Sequence, residues 1–160
     1  MRSLLVVFGG TGDLAHRKIY PAVYNLYVSG LLPKNFALIA IGRREKTEEV
    51  FRKEVANAIC SYSRENQGSD ADLKQLIARF YYKKADFTKF DGYKSIKEYL
   101  NQLDEQYQTH GNWIYYLAVA PEHFGVIVHH LARSGMTNQE RGYKRVVIEK
   151  PFGKDLQSAI

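Results

Sequence analysis

The feature that most constrains this chain is a glycine-rich turn between an apolar run and a helix. Residues 4–8 (LLVVF) are continuously apolar, which indicates a strand buried on both faces of a parallel sheet. The residues from Gly10 to Ala15 then fit the pattern G-x-G-x-x-A. Glycines in this context allow a tight turn and let the backbone approach a pyrophosphate, whose negative charge the helix N-terminus stabilises. The sequence therefore predicts a dinucleotide site at this turn.

Strands and helices alternate along the rest of the chain. Apolar runs predict further strands at 36–41, 81–85, 113–119 and 145–149, and capped or amphipathic segments between them predict helices. Each return to a parallel neighbour needs a crossover, which a helix supplies. We therefore expect an α/β fold with a doubly wound, Rossmann-type, mainly parallel sheet and helices on both faces, in one dinucleotide-binding domain over residues 1–160.

Several individual residues lead to local predictions. Proline is tolerated only in the first turn of a helix, so Pro21 is expected to restart or kink the first helix. Asp70 is expected to cap a later helix whose apolar face includes Phe80. The pair His129-His130 is expected on a solvated helix face. Cys60 has no partner for a disulfide and is expected to pack as a small hydrophobic residue.

Composition and charge narrow the function classes. No apolar run approaches the ~20 residues that a bilayer span needs, and no secretory segment precedes the first strand, so we expect a cytoplasmic protein without a membrane partner. The net charge of +6 suits an anionic ligand. The aromatic residues fall on predicted core stripes rather than among the basic groups, so nucleic acid is not an expected partner. No His, Cys and carboxylate set has metal spacing, and no metal is expected.

The end of the second strand indicates which dinucleotide binds. An NAD site usually has Asp or Glu there to bind the ribose 2′-hydroxyl. Here the strand is followed by Arg43 and Arg44, and guanidinium groups match phosphate in a forked geometry. The pair favours the 2′-phosphate of NADP. Glu45, directly after the pair, leaves use of NAD open.

Three segments resemble the glucose-6-phosphate dehydrogenase family and follow the family's order. They are GGTGDLAHRKIYP at 9–21, YYLAVAP at 115–121 and VIEKPFG at 147–153. G-D-L-A together with E-K-P-F-G is far more specific than a generic glycine fingerprint, and the matches span nearly the whole chain. The resemblance implies a parent enzyme of the pentose phosphate pathway that oxidises glucose 6-phosphate at C1 to 6-phosphogluconolactone and reduces NADP.

The resemblance also implies the cofactor contacts. Arg43 would bind the 2′-phosphate with Arg44 beside it, and Asp86 and Phe87 would lie near the adenosine ribose. The residues implied around the pyrophosphate are Gly9, Gly10, Thr11, Gly12, Asp13, Leu14, Ala15 and His16, of which His16 stands where the family often has lysine.

Two lysines are implied at the reacting end of the site. Lys18 and Lys150 are expected near the junction of nicotinamide and sugar phosphate, as catalytic and substrate-binding residues, and Lys150 also contacts the cofactor. Their ammonium groups would orient both ligands and screen the repulsion between them. The sequence leaves open whether the bond between Lys150 and Pro151 is cis.

The family's general base is not found in this sequence. It is a histidine in an R-I-D-H-Y-L-G-K segment, and the five histidines here lie in other contexts. The family continues past E-K-P-F-G into a large second domain, which also mediates assembly. We therefore expect a truncated chain without the catalytic α+β domain, monomeric by itself and derived from a homo-oligomeric parent. An NADP oxidoreductase of the glucose–fructose oxidoreductase type and a non-catalytic cofactor sensor remain as alternatives.

We expect the purified 160-residue chain to bind NADP weakly and to lack glucose 6-phosphate oxidation, because the base and half of the substrate site are absent. Titration with NADP and an assay of NADPH formation measure the two properties. Detectable turnover by the chain would contradict placing the base outside it.

Overall fold

Alternating strands and helices make up most of the chain, and the computed structural model describes residues 2–63 and 68–149. The strands are β1 (Ser3–Phe8), β2 (Phe36–Gly42), β3 (Phe80–Lys84), β4 (Trp113–Leu117) and β5 (Lys144–Ile148). The helices are α1 (Tyr20–Val28), α2 (Glu48–Tyr62), α3 (Asp70–Ile77), α4 (Asp91–Tyr107) and α5 (Phe124–Arg133). A π-helical turn (Ala15–Ile19) leads into α1, and a single 3-10 turn (Pro121–His123) leads into α5.

The strands form one parallel sheet in the order β3-β2-β1-β4-β5. One core cluster packs α1, α2 and α3 against one face of the sheet, and a second packs α4 and α5 against the other. The predicted doubly wound, Rossmann-type fold is confirmed. Because the strand order reverses between β1 and β4, a crevice is expected outside their carboxyl ends, where such folds bind ligands.

Residues of β1 show why a continuous apolar run becomes a central strand. Side chains alternate between the faces of a sheet. Leu4, Val6 and Phe8 belong to the core cluster with α4 and α5, and Val7 belongs to the cluster with α1. These four side chains have no exposed surface, so the apolar run contributes buried side chains to the cores on both faces of the sheet.

The first helix passes Pro21 without a break. The amide of Tyr20 donates to the carbonyl of Ala15, five residues back, whereas the amide of His16 donates to Gly12, four residues back. This wider turn directly precedes Pro21, which has no N–H and whose ring crowds the carbonyl of Arg17. The restart or kink expected at Pro21 is therefore a local widening of a continuous helical path.

The cap of α3 and the start of β3 differ from prediction. Ser69, not Asp70, caps α3: its hydroxyl accepts a hydrogen bond from the Asp72 amide, and the Asp72 carboxylate accepts one from the Ser69 amide. Phe80 is the first residue of β3 and is fully buried in the sheet. Both predictions are wrong because reciprocal capping and strand pairing depend on neighbours that helical spacing does not show.

Two further local predictions are corrected. His129 is exposed as expected, but His130 is 9% exposed, with its Nε2 atom 3.1 Å from the carbonyl oxygen of Thr88. Cys60 is exposed rather than packed. It lies off the buried stripe of α2, which consists of Phe51, Val55, Ala58 and Ile59.

A buried carboxylate joins the segments that connect α4, β4 and β5. Asp104 of α4 accepts hydrogen bonds at Oδ2 from the hydroxyl of Thr109 (2.5 Å), the amide of Gly111 (2.9 Å) and the indole of Trp113 (2.7 Å). Its other oxygen lies 3.4 Å from the Arg141 guanidinium, and the Asp104 side chain is 4% exposed. A single charged group therefore fixes the turn that leads into β4.

We expect Asp104→Asn to lower the free energy of unfolding at pH 7 by about 2–3 kcal/mol, because a neutral amide is a weaker acceptor and brings N–H donors towards other donors. Burial raises the pKa of Asp104, but the hydrogen bonds from Thr109, Trp113 and Gly111 outweigh burial and hold the pKa below its ordinary value.

The stabilisation is therefore present above the ordinary aspartate pKa of about 3.9 and is lost as the pH falls through the lower pKa of the folded state. Urea unfolding at pH 7 and at acid pH measures this difference. Glu98→Gln, at an exposed position of the same helix, is the control and should change little. An Asp104→Asn effect that stays constant from neutral to strongly acid pH would contradict the charged role.

Candidate functional site

The carboxyl ends of the strands bring distant predicted site residues to one edge of the sheet. Gly9 directly follows β1, Arg43 follows β2, and Asp86 lies two residues beyond β3. Glu149 directly follows β5 at the other side of the crevice. Since all five strands are parallel, these positions share the same edge. Lys150 and Pro151 lie outside the described residues.

The glycine turn is packed too closely against its neighbours to hold side chains. Gly9 has φ +79°, and a Cβ there would lie 2.3 Å from the carbonyl oxygen of Ala118. A Cβ on Gly10 would lie 2.4 Å from the Cβ of Ala40. These distances are far shorter than any carbon contact permits, so both positions require glycine.

The same turn leaves backbone donors free. The amides of Gly9 and Gly10 both donate to the carbonyl of Ile41, at 3.0 and 3.2 Å, which ties the turn to β2. Free N–H groups at the start of a helix carry partial positive charge and suit an anion. The amides of Thr11, Asp13 and Leu14 are among those that meet no acceptor in the described part of the chain.

Tyr20 supports the turn from inside the protein. Its hydroxyl donates to the carbonyl of Gly10 at 2.6 Å, and its ring packs against those of Phe51 and Phe80. Burial raises the pKa of Tyr20 above its ordinary value, followed by the charge of Glu54, so the hydroxyl stays a proton donor. Tyr20 lies in the family motif, but the sequence alone indicates no role for it. Its position on the buried side of α1 is the signal that could find it.

His16 also contacts the turn. Its Nδ1 atom lies 2.9 Å from the carbonyl oxygen of Gly12. Beside it, Asp13 is 90% exposed and lies 3.9 Å from Arg17, a loose ion pair that leaves the carboxylate in solvent. The turn is therefore open to solvent at Asp13, and the His16 imidazole lies against the Gly12 carbonyl.

The two arginines after β2 have different surroundings. The Nε atom of Arg43 lies 3.7 Å from Oδ1 of Asp86, and its guanidinium lies 5.4 Å from the centre of the Phe87 ring. Arg44 is anchored through its backbone, since its carbonyl accepts a hydrogen bond from the hydroxyl of Tyr82. Arg43 is thus the arginine that is oriented towards the end of β3.

Asp86 and Phe87 differ in how accessible their side chains are to a ligand. Oδ1 of Asp86 accepts hydrogen bonds from the hydroxyl (2.6 Å) and the amide (3.0 Å) of Thr88. These bonds, with a smaller contribution from Arg43, hold the pKa of Asp86 below its ordinary value. The Phe87 ring is 6% exposed and packs edge-on against Phe8, so it belongs mainly to the core.

A second group of residues lies on the α1 side of β1 and β4. Lys18, Tyr116 and Glu149 line a cavity of about 260 Å³ whose other walls are apolar. The hydroxyl of Tyr116 donates to the Glu149 carboxylate, and burial followed by this bond raises the tyrosine pKa. Lys18 is therefore brought near the residue that precedes Lys150.

Two kinds of feature do not occur within residues 2–63 and 68–149. No three His, Cys, Asp or Glu side chains in these ranges lie close enough together to hold a metal ion. Among the helices of the same ranges, none has the length and apolar character that a membrane span requires.

We expect Tyr20→Phe to lower the free energy of unfolding by about 1–2 kcal/mol, because it leaves the buried Gly10 carbonyl without its donor. The loosened turn should bind NADP about threefold to tenfold more weakly, as measured by titration. Tyr24→Phe is the matched control, since this buried hydroxyl on the same helix lies beside Gly68, away from the turn. Equal effects of the two substitutions on NADP binding would contradict the assignment.

Comparison with known proteins agrees with this geometry. The family model described as glucose-6-phosphate dehydrogenase, NAD binding domain, matches residues 6–160. Glucose-6-phosphate 1-dehydrogenase of Chlamydia muridarum is 39% identical over 98% of this chain and 32% of its own length. The same enzyme of Bacillus subtilis is 40% identical over 99% of this chain and 31% of its own length. The chain thus spans about a third of the curated relatives that it matches.

Solved structures give the same result. A glucose-6-phosphate dehydrogenase in complex with its substrate glucose 6-phosphate superposes with a TM-score of 0.86 at 27% identity, over 99% of this chain and 32% of the other. The glucose-6-phosphate 1-dehydrogenase of Mycobacterium avium superposes with a TM-score of 0.81 at 31% identity, over the same shares. The chain therefore belongs to the NAD-binding domain family of glucose-6-phosphate dehydrogenase.

Proposed function

We propose that this chain is the NADP-binding domain of a cytoplasmic glucose-6-phosphate 1-dehydrogenase. The parent enzyme oxidises the C1 hydroxyl of glucose 6-phosphate to 6-phosphogluconolactone and reduces NADP, as a step of the pentose phosphate pathway. The observation that carries this proposal is the glycine turn, whose free amides lie at the carboxyl edge of the sheet with Arg43 at the end of the adjacent strand.

The turn supplies the pyrophosphate site. The amides of Thr11, Asp13 and Leu14 donate to the phosphate oxygens, and the positive end of the helix stabilises their charge. Gly9 and Gly10 let the turn pack directly against Ala118 and Ala40, which fixes the position of these amides at the edge of the sheet. Tyr20 keeps the amides in place from the buried side.

Arg43 supplies the contact to the 2′-phosphate. Its guanidinium keeps 56% of its side-chain surface exposed, and the 3.7 Å separation from Asp86 is longer than a hydrogen bond, so its donors remain available. Arg44, the next residue, adds positive charge at the same strand end. Together they replace the acidic residue that an NAD site usually has after its second strand.

The nicotinamide end lies across the crevice towards β4 and β5. The cofactor supplies the hydride acceptor for the hydrogen on C1. Lys18 is exposed beside Tyr116 and Glu149, where its ammonium group binds and orients the phosphorylated sugar. Lys150, which follows Glu149 in the sequence, is assigned to the same junction. Both lysines screen the repulsion between two anionic ligands.

Proton removal is assigned to a residue of the parent enzyme outside this chain. The sequence contains no R-I-D-H-Y-L-G-K segment, and His16, the histidine of the glycine turn, points back to the Gly12 carbonyl. This division leaves cofactor binding to the domain described here and base catalysis to a second domain. We assign assembly of the homo-oligomeric parent to that second domain as well, so the chain alone is monomeric.

We expect Arg43→Ala to weaken NADP binding to this chain about tenfold to a hundredfold, because it removes a charge-assisted contact to the 2′-phosphate. NAD, which has no such phosphate, should lose little affinity. Titration of both cofactors measures the ratio, and Arg44→Ala should show a smaller loss for NADP. An equal loss for NADP and NAD would place the 2′-phosphate elsewhere.

A further inference from the structure

A carboxylate from β3 lies beside the arginine that follows β2. The usual position for an acid that binds the ribose 2′-hydroxyl, at the end of β2, is occupied by Arg43. Strand order makes β3 the neighbour of β2, and Oδ1 of Asp86 comes within 3.7 Å of the Arg43 Nε atom. An acid is therefore present at the adenosine end of the site, although it comes from a different strand.

Asp86 is held in this place by its own loop. The amide and the hydroxyl of Thr88 both donate to Oδ1, and the carbonyl of Thr88 lies 3.1 Å from Nε2 of the buried His130. This chain of contacts ties the loop after β3 to α5. The carboxylate is therefore positioned before any nucleotide binds.

The other oxygen of Asp86 is available. Oδ2 accepts no hydrogen bond from the residues that the structure describes, and 33% of the side chain is exposed. Two donors from Thr88 already use Oδ1, so the two oxygens have separate tasks. Oδ1 fixes the carboxylate, and Oδ2 remains as an acceptor for a ligand hydroxyl.

We propose that Asp86 sets the discrimination between NADP and NAD, by opposing Arg43 within one subsite; this inference rests on the proposed cofactor function. A 2′-phosphate carries one to two negative charges, so it is attracted by Arg43 and repelled by the carboxylate of Asp86. It also competes with the 3.7 Å ion pair between the guanidinium and Asp86. A ribose 2′-hydroxyl is neutral and donates to Oδ2. The subsite therefore accepts both cofactors.

A second acid near the arginines is the rival explanation. Glu45 follows Arg44 in the sequence, but its carboxylate pairs with Lys84 and its side chain is 83% exposed. Its charge is thus partly neutralised and screened by solvent. Lys89, the other charged group that acts on Asp86, contributes less to its ionisation than Thr88 and Arg43 do.

The test is titration of this chain with NADP and with NAD, before and after Asp86→Asn. Asparagine keeps an oxygen for the Thr88 donors and removes the charge. We expect the dissociation constant to fall about threefold to tenfold for NADP and to rise about threefold for NAD, a change of about tenfold or more in their ratio. Asp86→Ser, a second neutral variant, should shift the ratio in the same direction.

Two further variants serve as comparisons. Glu105→Gln removes an exposed charge near the C-terminal end of α4 and should leave the ratio unchanged. Glu45→Gln should shift the ratio less than Asp86→Asn does. A larger shift from Glu45→Gln would assign the discrimination to Glu45 and overturn the proposal.

The titrations distinguish the proposed cofactor function from the role of Asp86. If the unmodified chain binds neither cofactor, the proposed function fails. If it binds both and Asp86→Asn leaves the ratio unchanged, or weakens both equally, the cofactor site stands and the role of Asp86 is overturned. The unfolding midpoint of each variant identifies any loss of folding, and a folded variant with a shifted ratio supports the proposal.

Discussion

The contact between the glycine turn and its two neighbouring strands is the constraint on which the rest of the site depends. Gly9 lies against Ala118 after β4, and Gly10 lies against Ala40 of β2, with no room for a Cβ at either position. On the inner side of the turn, the carbonyl of Ile41 accepts hydrogen bonds from the turn amides, and the hydroxyl of Tyr20 donates one to a turn carbonyl. Buried polar groups are thereby paired within the protein, and the amides left over are those that we propose bind the pyrophosphate.

The parts of the fold that depend on local pattern could be predicted from the sequence. A continuous apolar run indicates a strand with a core on each side, and β1 and β2 are such strands. The roles of Ser69, Phe80 and His130 could not be predicted from local pattern, since each depends on a partner from another element or on a reciprocal cap. His130, for example, looks like a surface residue until α5 is packed beside the loop after β3.

In the candidate site, too, some residues could be predicted from the sequence and others depend on the packing of distant elements. The glycine motif and Arg43 could be predicted, because each follows a strand and carries its chemistry in its own residue type. The proximity of Asp86 to Arg43 depends on β3 lying next to β2, which is a property of topology. Tyr20 has a role only because a buried hydroxyl reaches a carbonyl ten residues earlier.

The π-helical turn before α1 has a consequence for the phase of the helix. One additional residue in a turn rotates everything after it by about 100° around the axis relative to a regular helix. With this offset, Tyr20, Val23 and Tyr24 face the core, and the hydroxyl of Tyr20 reaches the glycine turn. If the same residues formed a regular α-helix instead, these side chains would be turned away from the core and the Tyr20 hydroxyl from the glycine turn. At this spacing between the glycines and the proline, the wide turn is therefore what directs Tyr20 to the Gly10 carbonyl.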